Sequence, residues 1–178
     1  MPYVYPTLQD ILDFHDRALE ISGGGRPGVL DSGGLEATLD FMQNDLYYPT
    51  LTDKVAFLFF SVITKHCFVD GNKRVAISAS FYFLLCNFHS KTNWLFSSLT
   101  PPKKEDSLAL LRDKSEAFFQ KLEVVAKGTA CGFLDKEQIG KIFDKIMSGE
   151  DEFDELFKLL LLEIDEKVEL QIKEANNY

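Results

Sequence analysis

The chain has 178 residues, 46% of them hydrophobic and 26% charged, which suits one globular domain with a full core and excludes a disordered chain. Sixteen Phe against three Cys exclude a small disulfide scaffold. A net charge of −9, from 19 Lys and Arg against 28 Asp and Glu, argues against a general surface for nucleic-acid phosphates.

Met1 to Asp10 lacks a basic stretch followed by an apolar run, so no signal peptide is expected there. Thr7, with Asp10 three residues on and Leu8, Ile11, Leu12 and His15 at helical spacing, predicts a first helix to about Ile21. Ser22 to Gly28, rich in Gly and containing Pro27, reads as a loop. A second helix is predicted from Asp31 or Ser32 to Met42, weakened in its first turn by Gly33 and Gly34. Asn44 to Thr50 reads as irregular or extended, because Tyr47, Tyr48 and Pro49 favour an extended backbone.

Thr52 is expected to cap a third helix whose Val55, Ala56, Leu58, Phe59, Val62 and Ile63 leave almost no polar face. Asn72 or Lys73 opens a fourth, to about Phe88, expected to be the buried central helix of the fold. Val55 to Ile63 is about half of what a membrane span needs, so a soluble, cytoplasmic protein is expected. A short strand at Asn93 to Leu95, a turn at Pro101 and Pro102, and one or two helices over Glu105 to Val125 follow.

Gly128 and Gly132 mark an expected boundary between a core of residues 1–127 and a helical extension of residues 128–178, with amphipathic helices at Asp135 to Met147 and Glu152 to Lys173. The extension holds six Lys against 13 acids, a net of −7, which leaves −2 for the core. Phe153, Leu156, Phe157, Leu160, Leu161 and Ile164 form an apolar stripe suited to docking on the core, a second copy or a partner.

Between the two apolar helices lies His66-Cys67-Phe68-Val69-Asp70-Gly71-Asn72-Lys73-Arg74. Asp-Gly-Asn is turn chemistry, and with Asn72 as a helix cap the amides of Gly71 to Arg74 would converge as an anion site, flanked by two cations. Arg74 can hold phosphate oxygens with paired donors. His66, four residues before Asp70, is the residue type that takes a hydroxyl proton near neutral pH, and a carboxylate beside phosphates is a natural Mg2+ ligand. The residues alone leave a second reading open, a well-capped connection without chemistry.

The stretch resembles the core motif of the Fic/Doc superfamily, His-x-Phe-x-(Asp/Glu)-(Gly/Ala)-Asn-(Gly/Lys)-Arg, at each defining position. Gly24-Gly25-Arg26-Pro27-Gly28 and the helix holding Leu35-Glu36-Ala37 are similar to the glycine-rich loop and second helix of the Doc (death-on-curing) branch, and Leu12 to Asp16 to its first helix. The resemblance covers roughly residues 7–127. It implies an all-α fold, a helical bundle about a buried central helix with a short extended flap, to which this chain adds its C-terminal segment.

It further implies His66 as general base, Asp70 as the carboxylate that assists Mg2+, Gly71, Asn72, Lys73 and Arg74 as the phosphate cradle for ATP, and Asn44 to Thr50 as the flap that pairs a target segment by β-augmentation, with Tyr47 and Tyr48 lining it. AMP-transferring members usually carry Gly where this chain has Lys73 and a second Arg where it has Ile77; both differences are Doc-like. In that branch ATP is thought to bind in the opposite sense, giving its γ-phosphate to a Thr of elongation factor Tu. The implied activity is Mg-ATP-dependent phosphorylation of a protein hydroxyl by the toxin of a toxin-antitoxin pair. AMP transfer and a non-enzymatic nucleotide-binding or interaction protein are the alternatives.

Fic proteins are commonly restrained by a Glu from a (Ser/Thr)-x-x-x-Glu-(Gly/Asn) helix. Ser32 to Ala37 and Ser148 to Phe153 have the Ser and Glu but not the final residue, so a separate antitoxin is the expected partner, with homo-oligomerisation through the C-terminal helices as a further expectation. Elsewhere, His15 on an apolar helix face reads as a hydrogen-bonded packing residue, and His89 as a helix C-terminal charge. Cys67 is not expected to act as a nucleophile, having no orienting third group, and Cys67, Cys86 and Cys131 suggest neither disulfide nor zinc.

Overall fold

The computed structural model describes residues 3–87 and 120–148, which form six helices and, beyond one isolated bridge, no strand. They are α1 (Leu8–Ile21), α2 (Ser32–Phe41), α3 (Leu51–Thr64), α4 (Asn72–Asn87), α5 (described over 120–130) and α6 (Lys136–Ser148). The expected strand at 93–95, the turn at 101–102, His89 and the helix at 152–173 lie outside the described residues.

Local signals set the helix ends. Thr7 and Asp10 form a reciprocal capping box, and α1 ends where Gly23, at φ 76°, sends its amide to Glu20 O while Gly24 bonds Leu19 O, a Schellman closure. Asp31 caps α2 by accepting from Gly34 N at 2.7 Å. The cap of α3 is Thr50, not Thr52: a capping box needs a carboxylate three residues on, which Asp53 gives Thr50 and Val55 cannot give Thr52.

The core runs through Leu35, Leu39, Leu58, Phe59, Val62, Val75, Ala79 and Phe83. Among the described residues α3 packs against α2, α4 and α6, and α4 packs on α1 and α3. Phe143 of α6 meets Phe59 edge-on at 5.6 Å between ring centroids, and Ile139 and Ile142 are buried with it. The first part of the extension is thus built into the same core.

Lys54 is fully buried on α3. Its ammonium donates to Met42 O (3.1 Å) and Asp45 Oδ1 (2.7 Å) and lies 5.6 and 5.7 Å from the rings of Tyr3 and Tyr5. Burial opposes its charge, but the bonds to Asp45 and Tyr5 outweigh that and raise its pKa. The N-terminal leg is fastened to α4 by Asn87, whose amide exchanges two hydrogen bonds with the backbone of Val4.

The segment between α2 and α3 is not an extended flap. It curls, with Tyr47 N and Tyr48 N both bonded to Asn44 O, because the Asn44 side chain accepts from Leu46 N and closes a local turn. Among the described residues no helix is long and apolar enough to cross a membrane.

Candidate active site

Between α3 and α4 the chain reverses in seven residues, Lys65 to Gly71. α3 closes on Lys65, and His66 takes the left-handed conformation at φ 50° where Gly is usual. The His66 side chain is exposed, so its ring is open to an incoming group. Lys65 turns away to Thr38 Oγ1 at 2.8 Å, tying this corner to α2.

Phe68 points inward, fully buried, and pairs with Val29 as the isolated bridge. Val69 N donates to Gly28 O, and Leu30 N and Asp31 N both donate to Cys67 O, so the end of the glycine-rich loop runs antiparallel beside Cys67 to Val69. Asn72 spans the reversal from inside: Nδ2 donates to Phe68 O at 2.8 Å and Oδ1 accepts from Phe68 N at 3.0 Å. Asn72 is the first residue of α4 and Gly71 precedes it, so the Asn side chain braces the loop rather than capping the helix.

Asp70 lies at the amino end of α4 with its side chain 45% exposed. Its Oδ1 accepts from Gly71 N (2.6 Å) and from Arg74 Nη2 (3.3 Å), and Arg26 donates a backbone bond to the same carboxylate. The Gly71 amide first, then the Arg74 charge, hold the carboxyl below its ordinary value against the opposing effect of desolvation. Arg74 also donates through Nη1 to Ala18 O (3.2 Å) and to Ser22 Oγ, at the carboxyl end of α1, where a cation is favoured. Gly25 closes the site: a Cβ there would stand 2.6 Å from Leu19 Cδ2 and 2.9 Å from Asp70 Oδ2, and its φ of 149° disfavours any side chain.

Lys73 is exposed beside this cluster. The set therefore comprises one ionised carboxylate, unpaired amides in the first turn of α4 and two cations, which fits a cation shared with phosphate oxygens rather than an all-protein metal cage. Among the described residues no group of three or more His, Cys, Asp or Glu could hold a metal by itself.

Of the residues expected to line the flap, Tyr48 is buried, stacked on Phe57 at 4.4 Å with Lys136 of α6 at 5.0 Å on its ring. Tyr47 is 61% exposed and stacks on Phe41 at 5.5 Å. A groove of about 310 Å³ separates this turn from α6. Cys67 is fully buried, and burial, then the Asp31 charge, push its thiol up against the pull of Lys65, so it is an inert packing group.

Two participants were not singled out for the site in the sequence. Ser22 was read only as loop, yet it holds Arg74; its place at the end of a helix that packs on the motif was the available signal. Lys54, which anchors the turn before α3, falls with Leu51, Leu58 and Ser61 on the apolar face, so its spacing marked it as buried.

Residues 5–84 match the family model of the Fic/DOC family, a span that opens at Tyr5 and contains α1 to α3, the glycine loop and all of the motif. Toxin Doc of Mycolicibacterium smegmatis is 40% identical over 87 residues, 47% of this chain and 64% of that protein. The chain thus spans just under two thirds of the length of this curated relative. Over residues 5–84, which contain the loop and the side chains described above, this chain is similar to the Fic/DOC family.

Proposed function

We propose that the chain is a Doc-like transferase that uses Mg-ATP to phosphorylate a Ser, Thr or Tyr hydroxyl of a protein, and that it is the toxin of a toxin-antitoxin pair. The observation that carries this reading is the Asp70 carboxylate, kept ionised at the amino end of α4 by Gly71 and Arg74, with His66 exposed on the same loop. Likeness to a protein named Toxin Doc supports the toxin role and, with it, an antitoxin partner.

His66 takes the proton of the target hydroxyl as its oxygen bonds to the γ-phosphorus, and the bond to the bridging oxygen breaks to release ADP. Asp70 would hold Mg2+, which would neutralise phosphate charge when bound. The first-turn amides of α4, Lys73 and Arg74 hold the phosphates, for which Arg74 must exchange part of its bonding to Asp70. The exposed Tyr47 beside the groove offers the target an aromatic edge, with Tyr48 fixing the turn beneath it.

Lys73 in place of Gly and Ile77 in place of a second Arg favour phosphoryl over AMP transfer. The test is incubation of the chain, Mg2+ and a cell extract with ATP labelled at the α or the γ phosphate. Label arriving on protein from the γ position, and lost in His66→Ala, is expected. Label from the α position would mean AMP transfer, and none from either would leave a nucleotide-binding or scaffold protein.

A further inference from the structure

His15 is 98% withdrawn from solvent, with a relative exposure of 2%, on a helix otherwise known here only as a support for the motif. Its ring stacks flat on Phe68, at 4.3 Å between centroids and 10° between planes. Its Nε2 lies 3.1 Å from Asp70 O and its Nδ1 3.4 Å from Asp16 Oδ1. A carbonyl oxygen can only accept, so Nε2 carries hydrogen and donates to it. A Cβ added at Gly71 would stand 3.5 Å from His15 Cδ2, so the ring is wedged between Phe68 and the Asp70-Gly71 peptide.

The carbonyl of Asp70 and the amide of Gly71 belong to one trans peptide and point in opposite directions. Holding the carbonyl toward α1 therefore aims the Gly71 N–H the other way, onto the Asp70 carboxylate, where it is the first cause of that group's acidity. Gly71 sits at φ 86°, and a glycine in this position accepts either face of the preceding peptide. The orientation seen is held from one side by the His15 bond to Asp70 O and from the other by the Gly71 N bond to Asp70 Oδ1.

We propose that His15 is a positioning residue that fixes the Asp70-Gly71 peptide with its amide turned onto the Asp70 carboxylate. The inference deepens the proposed function and rests on it only for its kinetic consequence. The structural consequence, the orientation of one peptide, is independent of any activity.

The test uses the full chain labelled with 15N. His15→Phe keeps the stack on Phe68 and removes the donor; His15→Gln restores a donor near the place of Nε2. The Gly71 amide resonance is expected to move in His15→Phe and return toward its original position in His15→Gln. Transfer is expected to lose roughly 100-fold in kcat with little change in KM for the protein target, and to recover in part with Gln. If His15→Phe does not fold, His15→Met against His15→Gln makes the same comparison at similar volume. A Gly71 resonance unmoved in the variant lacking the donor, or moved equally with Gln, overturns the proposal. A wild-type chain without transfer overturns the proposed function and leaves the Gly71 measurement standing.

Discussion

The side chain of Asn72 binds both backbone groups of Phe68, donating to its carbonyl at 2.8 Å and accepting its N–H at 3.0 Å. Each atom of the amide is assigned by its partner, since the carbonyl needs a donor and the N–H an acceptor. Asp at this position keeps the acceptor but sets an anionic oxygen against Phe68 O. Asn72→Asp and Asn72→Ala are both expected to destabilise the chain by about 1–3 kcal/mol, read from chemical denaturation. An Asp variant as stable as the wild type would show that only the Oδ1 bond matters.

His66 occupies a left-handed position that costs a non-glycine residue about 1 kcal/mol. His66→Gly is expected to raise stability by roughly that amount while abolishing transfer. This pairing of opposite effects separates a residue kept for chemistry from one kept for folding. A loss of stability would mean instead that the ring supports the loop.

Acid should act through Asp70. Its folded-state pKa lies below the ordinary 3.8, so the carboxylate contributes stability that is present above that value and is lost as pH falls through and below it. Urea midpoints measured from about pH 5 down to about pH 2.5 are expected to fall less steeply in Asp70→Asn than in the wild type. Parallel curves would show that other carboxylates govern the acid limb.

The cysteines differ in reach. Cys131 is exposed and Cys67 fully buried with a raised pKa, so iodoacetamide is expected to modify Cys131 in the native protein and Cys67 only after unfolding, as mapped by peptide mass spectrometry. Native labelling of Cys67 would reopen its exclusion from the chemistry.

The all-helical bundle, both ends of α1 and α2 and the start of α4 were legible in the sequence because they depend on caps and spacings a few residues apart. The reassignment of the α3 cap from Thr52 to Thr50 was legible too, in the position of Asp53. What could not be read is whatever depends on contacts between distant segments. Nothing local to His15 announces Asp70, 55 residues away, and nothing near Ser22 announces Arg74. Asn44 to Thr50 was legible as irregular or extended, and of the two the irregular form holds, with the Asn44 side chain bonded to Leu46 N. The identity of the site residues was written in one nine-residue run; their bracing was distributed over α1, the glycine loop and α2.

Phe143 rests on Phe59 although it lies 59 positions past the last residue of the family match. The stretch that carries the recognisable motif is therefore narrower than the object that folds. A fragment cut after residue 127 would present Phe59 and Ala56 to water and remove the cation over Tyr48, so the turn expected to meet the target would lose its backing. Changes in α6 can reach the turn at Tyr47 and Tyr48 without touching any residue of the motif.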